Sequence, residues 1–473
     1  MKIAILHYHF DRGGVTRVVS STLEAFRSRK DYEFGLLSGR PVTELEAPSR
    51  LIPGLNYSSS AETTPGPDEL YRQVTDAARD LFNGEEPDVW HIHNPALGKN
   101  TSFTGLVNRL AADGRALLLH EHDFAEDFRP ANFRLRESSR DVHDSPFPYS
   151  PRVRFAVLNQ RDADILQKVG LPSSCLAQLP NPVPPAETVA PLNPDSDLIL
   201  YPVRALARKN LGEFLLLAHA LGGDFRWETT LPPTNPAYQK RFQQWCDLVE
   251  DLRLPARLGV AATEDRPFAE RLAESRAVVT TSVAEGFGLS FLEPWTYGRP
   301  VLGRDLPEIT REFRDQGIPL DSLYSRFLIP AEATDPEKVA GRWEAGIRSA
   351  YESFATKAPE EDLIQTVRQI AESPLIDFSL LGEDLQAQCL RTVVAKKIPI
   401  EAPTAIPSLD ADGINSRREP ILQTFSPEAY AAKLETLYHS LVDAPAEKLS
   451  SLSPEKILRE FLHPNRFHPH FVE

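Results

Sequence analysis

Two series of short apolar runs, each separated by longer amphipathic stretches, constrain this chain more than any other feature. The first series is 2–6 (KIAIL), 34–37 (FGLL), 88–93 (DVWHIH), 116–120 (ALLLH) and 153–158 (VRFAVL). The second is 197–203 (DLILYPV), 225–230 (FRWETT), 276–281 (RAVVTT), 300–303 (PVLG) and 326–329 (RFLI). Such alternation is the pattern of a parallel sheet covered by helices. Between the series runs Leu179-Pro180-Asn181-Pro182 through Pro184-Pro185 to Pro194, which can be neither helix nor central strand and reads as a linker. The expectation is an α/β chain of two Rossmann-like, doubly wound domains facing across a cleft, with ligands at the carboxyl ends of the strands. The expected spans are 1–184 for the first domain and 185–445 for the second, with a helical elaboration at about 350–420. A closing helix and tail, 446–473, is expected to return to the first domain.

With 473 residues the chain is too long for one core and suits two large domains. Its formal charge is 52 − 67 = −15, which repels phosphate backbones and anionic lipid headgroups, so neither nucleic acid nor stable membrane attachment is expected. Cys175, Cys246 and Cys389 are odd in number, form no CxxC pair and suggest no disulfide framework. The opening Met-Lys-Ile-Ala-Ile-Leu turns polar at His7, too soon for a secretory leader, and no stretch approaches the roughly 20 apolar residues of a membrane span. A cytoplasmic location is the expectation, with homo-oligomerisation left open.

The segment from Thr280 to Trp295 carries the most chemistry. A buried-looking strand ends, a turn bearing Gly286 and Gly288 follows, and an apolar helix begins near Gly288. Unpaired N–H groups at such a helix start favour an anion. Glu285 precedes the turn and Glu293 lies about five residues into the helix, roughly 8 Å further on. Two carboxylates flanking an anion site suit a ligand with hydroxyls at both ends and phosphates between; the bland alternative is a strand–turn–helix with two surface glutamates. Arg204 and Lys209 bracket the loop after the first strand of the second series, where both can neutralise a diphosphate. Solvated loop cations are the alternative there. Gly13-Gly14, after the first strand of the chain, permits close backbone approach.

Three His-x-His pairs, His7/His9, His91/His93 and His120/His122, fall at or just past strand ends. Period-two spacing puts both rings of a pair on one face. They read either as a zinc site or as a polar wall; the absent cysteine ligands and the diphosphate cations weigh against a metal, and none is expected. Asn94 and Lys99, with Asp123 and Arg129, surround two of these pairs and suggest an acceptor pocket. His463, His468 and His470 read as packing or a surface tail.

Together these motifs resemble the retaining glycosyltransferases of family 4, of GT-B fold. The likeness rests on the Gly-Gly loop, the Leu179–Val183 step into the linker, the Arg-x4-Lys loop, Glu-x7-Glu in its Glu-Gly-Phe-Gly-Leu setting, and the Phe425–Tyr438 closing helices. It implies that Glu285 binds hydroxyls of the transferred sugar and Glu293 the ribose. Arg204 and Lys209 would hold the diphosphate with the amides of Gly286, Phe287, Gly288, Leu289 and Ser290, and Gly14 would lie near the phosphates. The family's histidine beside the reacting sugar falls at His122 or His120, with His122 preferred because Asp123 follows it. Gly13, His93, Asn94, Lys99, His120, Asp123 and Arg129 are the acceptor-side candidates. Departures are Pro202-Val203 in place of the small glycine before the arginine, a longer 350–420 region, and Pro294-Trp295 after the second glutamate.

The implied reaction is metal-independent transfer of a hexose, with retention, from a nucleotide-diphosphate-sugar co-substrate to an acceptor hydroxyl on a soluble small molecule or saccharide. No further cofactor is implied. The alternatives are a GT-B-like nucleotide-sugar epimerase, a metal-dependent hydrolase built on the histidine pairs, and a non-catalytic sugar-binding relative.

Overall fold

The computed structural model describes residues 1–59, 64–141, 143–193, 195–264 and 266–471; Pro194, where the expected linker ends, lies outside them. The described chain forms two compact units, Met1–Pro184 with Thr424–His463, and Pro185–Gln423 with Pro464–Glu473.

The first unit is built on strands β1 (Lys2–His7), β2 (Glu33–Ser38), β3 (Ser49–Leu51), β4 (Val89–His93), β5 (Leu117–Glu121), β6 (Pro148–Tyr149), β7 (Val153–Val157) and β8 (Leu176–Gln178). All but β6 form one parallel sheet in the order β3-β2-β1-β4-β5-β7-β8. Alternate residues of each strand feed two separate cores, as the two-residue period demands. On one face Ile3, Ile5, Leu36, Val89 and Leu118 pack against helices Gly14–Phe26 and Pro427–Val442, through Val18, Val19, Tyr430, Leu434, Tyr438 and Leu441. On the other, Ala4, Leu6, Trp90, Ile92, Leu117 and Leu119 meet Leu70 and Val74 of helix Pro67–Leu81 and Leu106 and Leu110 of helix Phe103–Ala112. A run buried on both faces must be apolar throughout, which is why these strands read as blocks rather than as alternation.

The second unit holds β9 (Leu198–Arg204), β10 (Arg226–Leu231), β11 (Ala256–Arg257), β12 (Ala277–Thr280), β13 (Val301–Arg304) and β14 (Leu323–Tyr324), all parallel in the order β11-β10-β9-β12-β13-β14. The expected strand at 326–329 corresponds to β15 (Leu328–Pro330), which lies outside this sheet and pairs antiparallel with β16 (Leu375–Asp377). Pro330 has no N–H to give a central ladder, and Leu323–Tyr324 holds the sheet edge instead.

The expected second domain, 185–445, stops short: residues 424–445 belong to the first unit. The cause is the apolar side of Pro427–Val442, whose Tyr430, Leu434 and Tyr438 are fully or almost fully buried in the first unit's core. The closing segment divides as well. Ile457 and Phe461 lie in the first unit's other core, and Ser450–Ser451 pairs with β6, whereas residues 464–471 pack within the second unit.

Candidate active site

In the second unit the chain leaves β9 at Arg204, whose side chain is exposed, and makes one tight turn, Ala207–Lys209. Asn210 follows in the left-handed region (φ 53°), which an asparagine adopts at modest cost, and starts helix Leu211–Leu221. Three hydroxyls pin this turn: Tyr201 donates to the Lys209 carbonyl at 3.0 Å, Thr281 to the same oxygen at 3.1 Å, and Ser282 to the Arg208 carbonyl at 3.3 Å. Thr281 and Ser282 continue directly from β12, so neighbouring strand ends lock the two expected loops together.

Lys209 Nζ lies 2.5 Å from Glu285 Oε1, with side-chain exposures of 14% and 13%. Burial pushes the Glu285 carboxyl up, but the Lys209 ammonium, the Arg208 charge and hydrogen bonds from Lys209 and Ser282 together outweigh it and hold the group below the usual carboxylate range. Burial also lowers Lys209, partly offset by Glu285. The two remain an ion pair at neutral pH. Arg208, exposed and adjacent in sequence, adds a further positive field on both; the sequence reading passed over it because it lies inside the Arg-x4-Lys spacing.

Gly286, Phe287, Gly288, Leu289 and Ser290 cross the turn into helix Leu289–Thr296. Gly288 caps that helix at φ 89°, and a Cβ there would lie 2.8 Å from Ile309 Cγ2 and 2.9 Å from Phe291 Cδ2. The helix start therefore has the backbone that admits an anion. The Phe287 ring is buried edge-on to Phe313, at 5.6 Å between centroids, so only its backbone is offered to a ligand. Glu293 sits in the second turn and is partly buried. Trp295 is a core residue, with the Arg417 guanidinium 5.4 Å over its ring.

In the first unit Gly13 caps helix Gly14–Phe26 with extended backbone, and a Cβ on Gly14 would meet nothing within 4 Å. No acidic residue occupies the first turn of that helix. The structure gathers the histidine pairs into one cluster. His7, His91, His93, His120 and His122 stand on one face of β1, β4, β5 and the residue following β5, the face shared with Tyr438. His93 Nδ1 lies 2.8 Å from His122 Nε2, His91 Nε2 lies 3.1 Å from His120 Nδ1, and His91 Nδ1 lies 2.8 Å from the Tyr438 hydroxyl. The His7 Nδ1–H donates to the His93 carbonyl at 3.1 Å. Burial lowers all five: His7, His91 and His122 to about 3, His93 and His120 well below the usual value. All are neutral at physiological pH. His9 stands apart, only half-buried, beside Asp11.

Asn94, in the left-handed region (φ 54°), uses its side-chain oxygen to accept the backbone N–H groups of His122 (2.7 Å) and Asp123 (3.1 Å). It ties the ends of β4 and β5 together. Arg129 pairs with Asp123 at 2.5 Å. Lys99 is half-buried with its ammonium 5.4 Å over the Tyr57 ring. No carboxylate lies within 4.0 Å of it among the described residues. Burial and then nearby Arg129 lower its pKa. Two carboxylates near this cluster are fully buried: Glu121, which accepts the Ala96 N–H at 3.1 Å and which burial pushes well above its usual value, and Glu126, paired with Arg136 at 2.5 Å rather than turned to an acceptor pocket. Nothing in an isolated His-Glu-His marks the glutamate as facing the opposite core.

No protein-family model matches the chain. The mannosylglucosyl-3-phosphoglycerate synthase of Petrotoga mobilis is 26% identical over 475 residues, spanning 91% of this chain and 89% of that protein. Among solved structures, Anabaena HepE in complex with UDP and glucose aligns with a TM-score of 0.53 at 12% identity, covering 93% of this chain and 100% of that one. A glycosyltransferase from Rickettsia africae gives 0.54 at 12%, covering 93% and 98%. The sucrose-phosphate synthase of Thermosynechococcus elongatus gives 0.52 at 14%, covering 93% and 99%. The likeness is one of fold: two α/β units with parallel sheets, as in GT-B glycosyltransferases.

Proposed function

We propose that this chain is a retaining glycosyltransferase that moves a hexose from a nucleoside-diphosphate sugar to a hydroxyl of a small, soluble, anionic acceptor, without a metal at the diphosphate. The observation that carries the reading is the largely, though not fully, buried Lys209–Glu285 pair, mounted on two neighbouring strand ends beside the Gly288 helix start. Lys209 and Arg204, with the amides of residues 286–290, neutralise the departing diphosphate. Glu285 accepts hydroxyls of the transferred sugar and Glu293 those of the ribose. The acceptor oxygen bonds to the anomeric carbon on the face the diphosphate leaves. The C–O bond to phosphate breaks with its electron pair on that oxygen, which takes the acceptor's proton. Positioning and preorganised charge then supply most of the rate enhancement. Held neutral by burial, His122 can offer a hydrogen bond to the sugar without adding charge.

Lys99 supports an anionic acceptor: a half-buried cation without a carboxylate partner among the described residues, on a chain of formal charge −15, is best satisfied by a ligand's phosphate or carboxylate. The similar protein from Petrotoga mobilis is named for a phosphoglycerate product bearing two hexoses, which agrees with that class.

The test pairs single nucleotide sugars with phosphorylated and neutral acceptors. One donor should raise the melting temperature, and the product should keep the donor's anomeric configuration by NMR. Lys209→Met should lose about 100-fold in kcat/KM, the roughly 3 kcal/mol of a charge-assisted contact. Stabilisation by no donor, an inverted product, or rates that rise only with added Mg2+ or Mn2+ would overturn the reading. An interconverted nucleotide sugar without any acceptor product would favour an epimerase instead.

A further inference from the structure

The sequence shows three separate histidine pairs, each compatible with a polar wall; the structure merges members of two of them into one buried group. His91 and His93 lie on β4, and His120 lies on β5 in register with His93. One ring nitrogen from each lies within 4.8 Å of the others. We propose that His91, His93 and His120 form a transition-metal site of the zinc class in the first unit, separate from the diphosphate residues of the second.

Four observations carry it. The three side chains are 0–1% exposed, so the cluster is closed in the way structural metal sites are. All donors are imidazoles, a set that suits Zn2+, Ni2+, Co2+ or Cu2+ and not Mg2+ or Ca2+. His93 Nε2 is buried and has no hydrogen-bond partner among the described residues, an orphan that calls for an occupant. Finally, outer partners are in place for two of the three, as they are for nearly every metal-bound histidine. His91 Nδ1 faces the Tyr438 hydroxyl and His93 Nδ1 faces His122 Nε2, whereas His120 Nε2, like His93 Nε2, has no hydrogen-bond partner among the described residues.

Loading needs no imidazole to ionise. The proton now between His91 Nε2 and His120 Nδ1 moves to the far nitrogen of whichever ring carries it. On His91 that nitrogen faces the Tyr438 hydroxyl, 2.8 Å away, so His91 is the ring that carries it. The two inner nitrogens are already 3.1 Å apart, close to the ~3.3 Å edge of a tetrahedral site with metal–nitrogen bonds of about 2.0–2.1 Å. The third lies within 4.8 Å of both and closes by side-chain rotation. Metal there would also fix the His93–His122 contact, and with it the orientation of His122.

The experiment reads metal directly. Full-length protein is stripped with a strong chelator, then titrated with Co2+ alone and Zn2+ alone. One equivalent of Co2+ with the intense visible bands of a tetrahedral site, displaced by Zn2+, is expected. His91→Asn should weaken Zn2+ at least 100-fold, with an unchanged circular dichroism spectrum in chelator. His122→Asn, which removes the outer partner of His93 and no proposed ligand, should weaken it about 10–100-fold. If His91→Asn fails to fold, His120→Gln serves in the same comparison. No stoichiometric Co2+ or Zn2+ binding, or binding untouched by the ligand variants, overturns the proposal. Donor-induced stabilisation is a separate readout, so the glycosyltransferase reading stands or falls independently.

Discussion

Acid should destabilise the first unit, and the size of the effect can be worked from the histidine cluster. In the unfolded chain each imidazole titrates near 6.5, whereas His7, His91 and His122 are held at about 3 in the fold. Above pH 6.5 neither state binds the protons and stability is complete. As the pH falls below 6.5 the unfolded chain is protonated first, and stability is lost until about pH 3. At pH 5 the loss is about 2 kcal/mol per histidine, or about 6 kcal/mol for the three if they act independently. His93 and His120 act in the same direction. Glu121 opposes them: its raised carboxyl pKa adds stability as the pH falls, but it is one group against five. A loss of 6 kcal/mol is comparable to the whole stability of a typical domain, about 5–15 kcal/mol. A chain of two units need not unfold in one step, so the assay is native-state hydrogen exchange. It would follow peptides covering 89–93 and 117–121 from pH 8 to 5, in chelator, with intrinsic rates divided out. His91→Asn should recover about 2 kcal/mol of the loss at pH 5. An opening free energy that changes by less than about 1 kcal/mol between pH 8 and 5 would refute the buried-neutral account.

Two further outcomes are expected. Gly288→Ala places a side chain at φ 89° against Ile309 and Phe291; it should cost about 1–3 kcal/mol, lower the melting temperature by roughly 2–4 °C per kcal/mol and weaken donor binding, and a melting temperature within 1 °C of wild type would contradict the strain. In the tail, turn Pro469–Phe471 packs on turn Ala207–Lys209, and the His470 Nε2–H donates to the Leu381 carbonyl at 3.1 Å beside Gln386, whose amide donates to Asn210 at 2.8 Å. Deleting residues 464–473 should raise the donor Kd about tenfold with the acceptor KM unchanged; equal loss in both would make the tail general packing.

The strand blocks were legible because doubly buried parallel strands must be apolar along their whole length. Edge strands such as Ser49–Leu51, Ala256–Arg257 and Leu323–Tyr324 were not, since two or three paired residues leave no periodic signal. The turn geometry around Lys209 and Gly288 was legible from residue type, as the left-handed Gly288 shows. Burial of Phe287 and Trp295 was not, because an aromatic ring beside a glycine turn looks the same facing ligand or core. The histidine cluster shows the limit most plainly. Spacing of two reports one strand's face, whereas the meeting of His91 with His120 depends on which strands are neighbours, and sheet order is not written locally. Likewise, nothing local in 424–445 says which core Tyr430 and Tyr438 will join.

That last placement bears on how the chain is made. Helix Pro427–Val442 covers the sheet face of β1, β4 and β5, and Ile457 and Phe461 complete the opposite core. Residues 1–184 therefore cannot close either core until the segment through Phe461 has been synthesised. During that interval Leu118, Val89 and the histidine row stand without their cover, a surface that holdase chaperones bind. A chain terminated before Ala444 would lose layers from both units at once, so such termination should yield insoluble protein rather than a shortened domain.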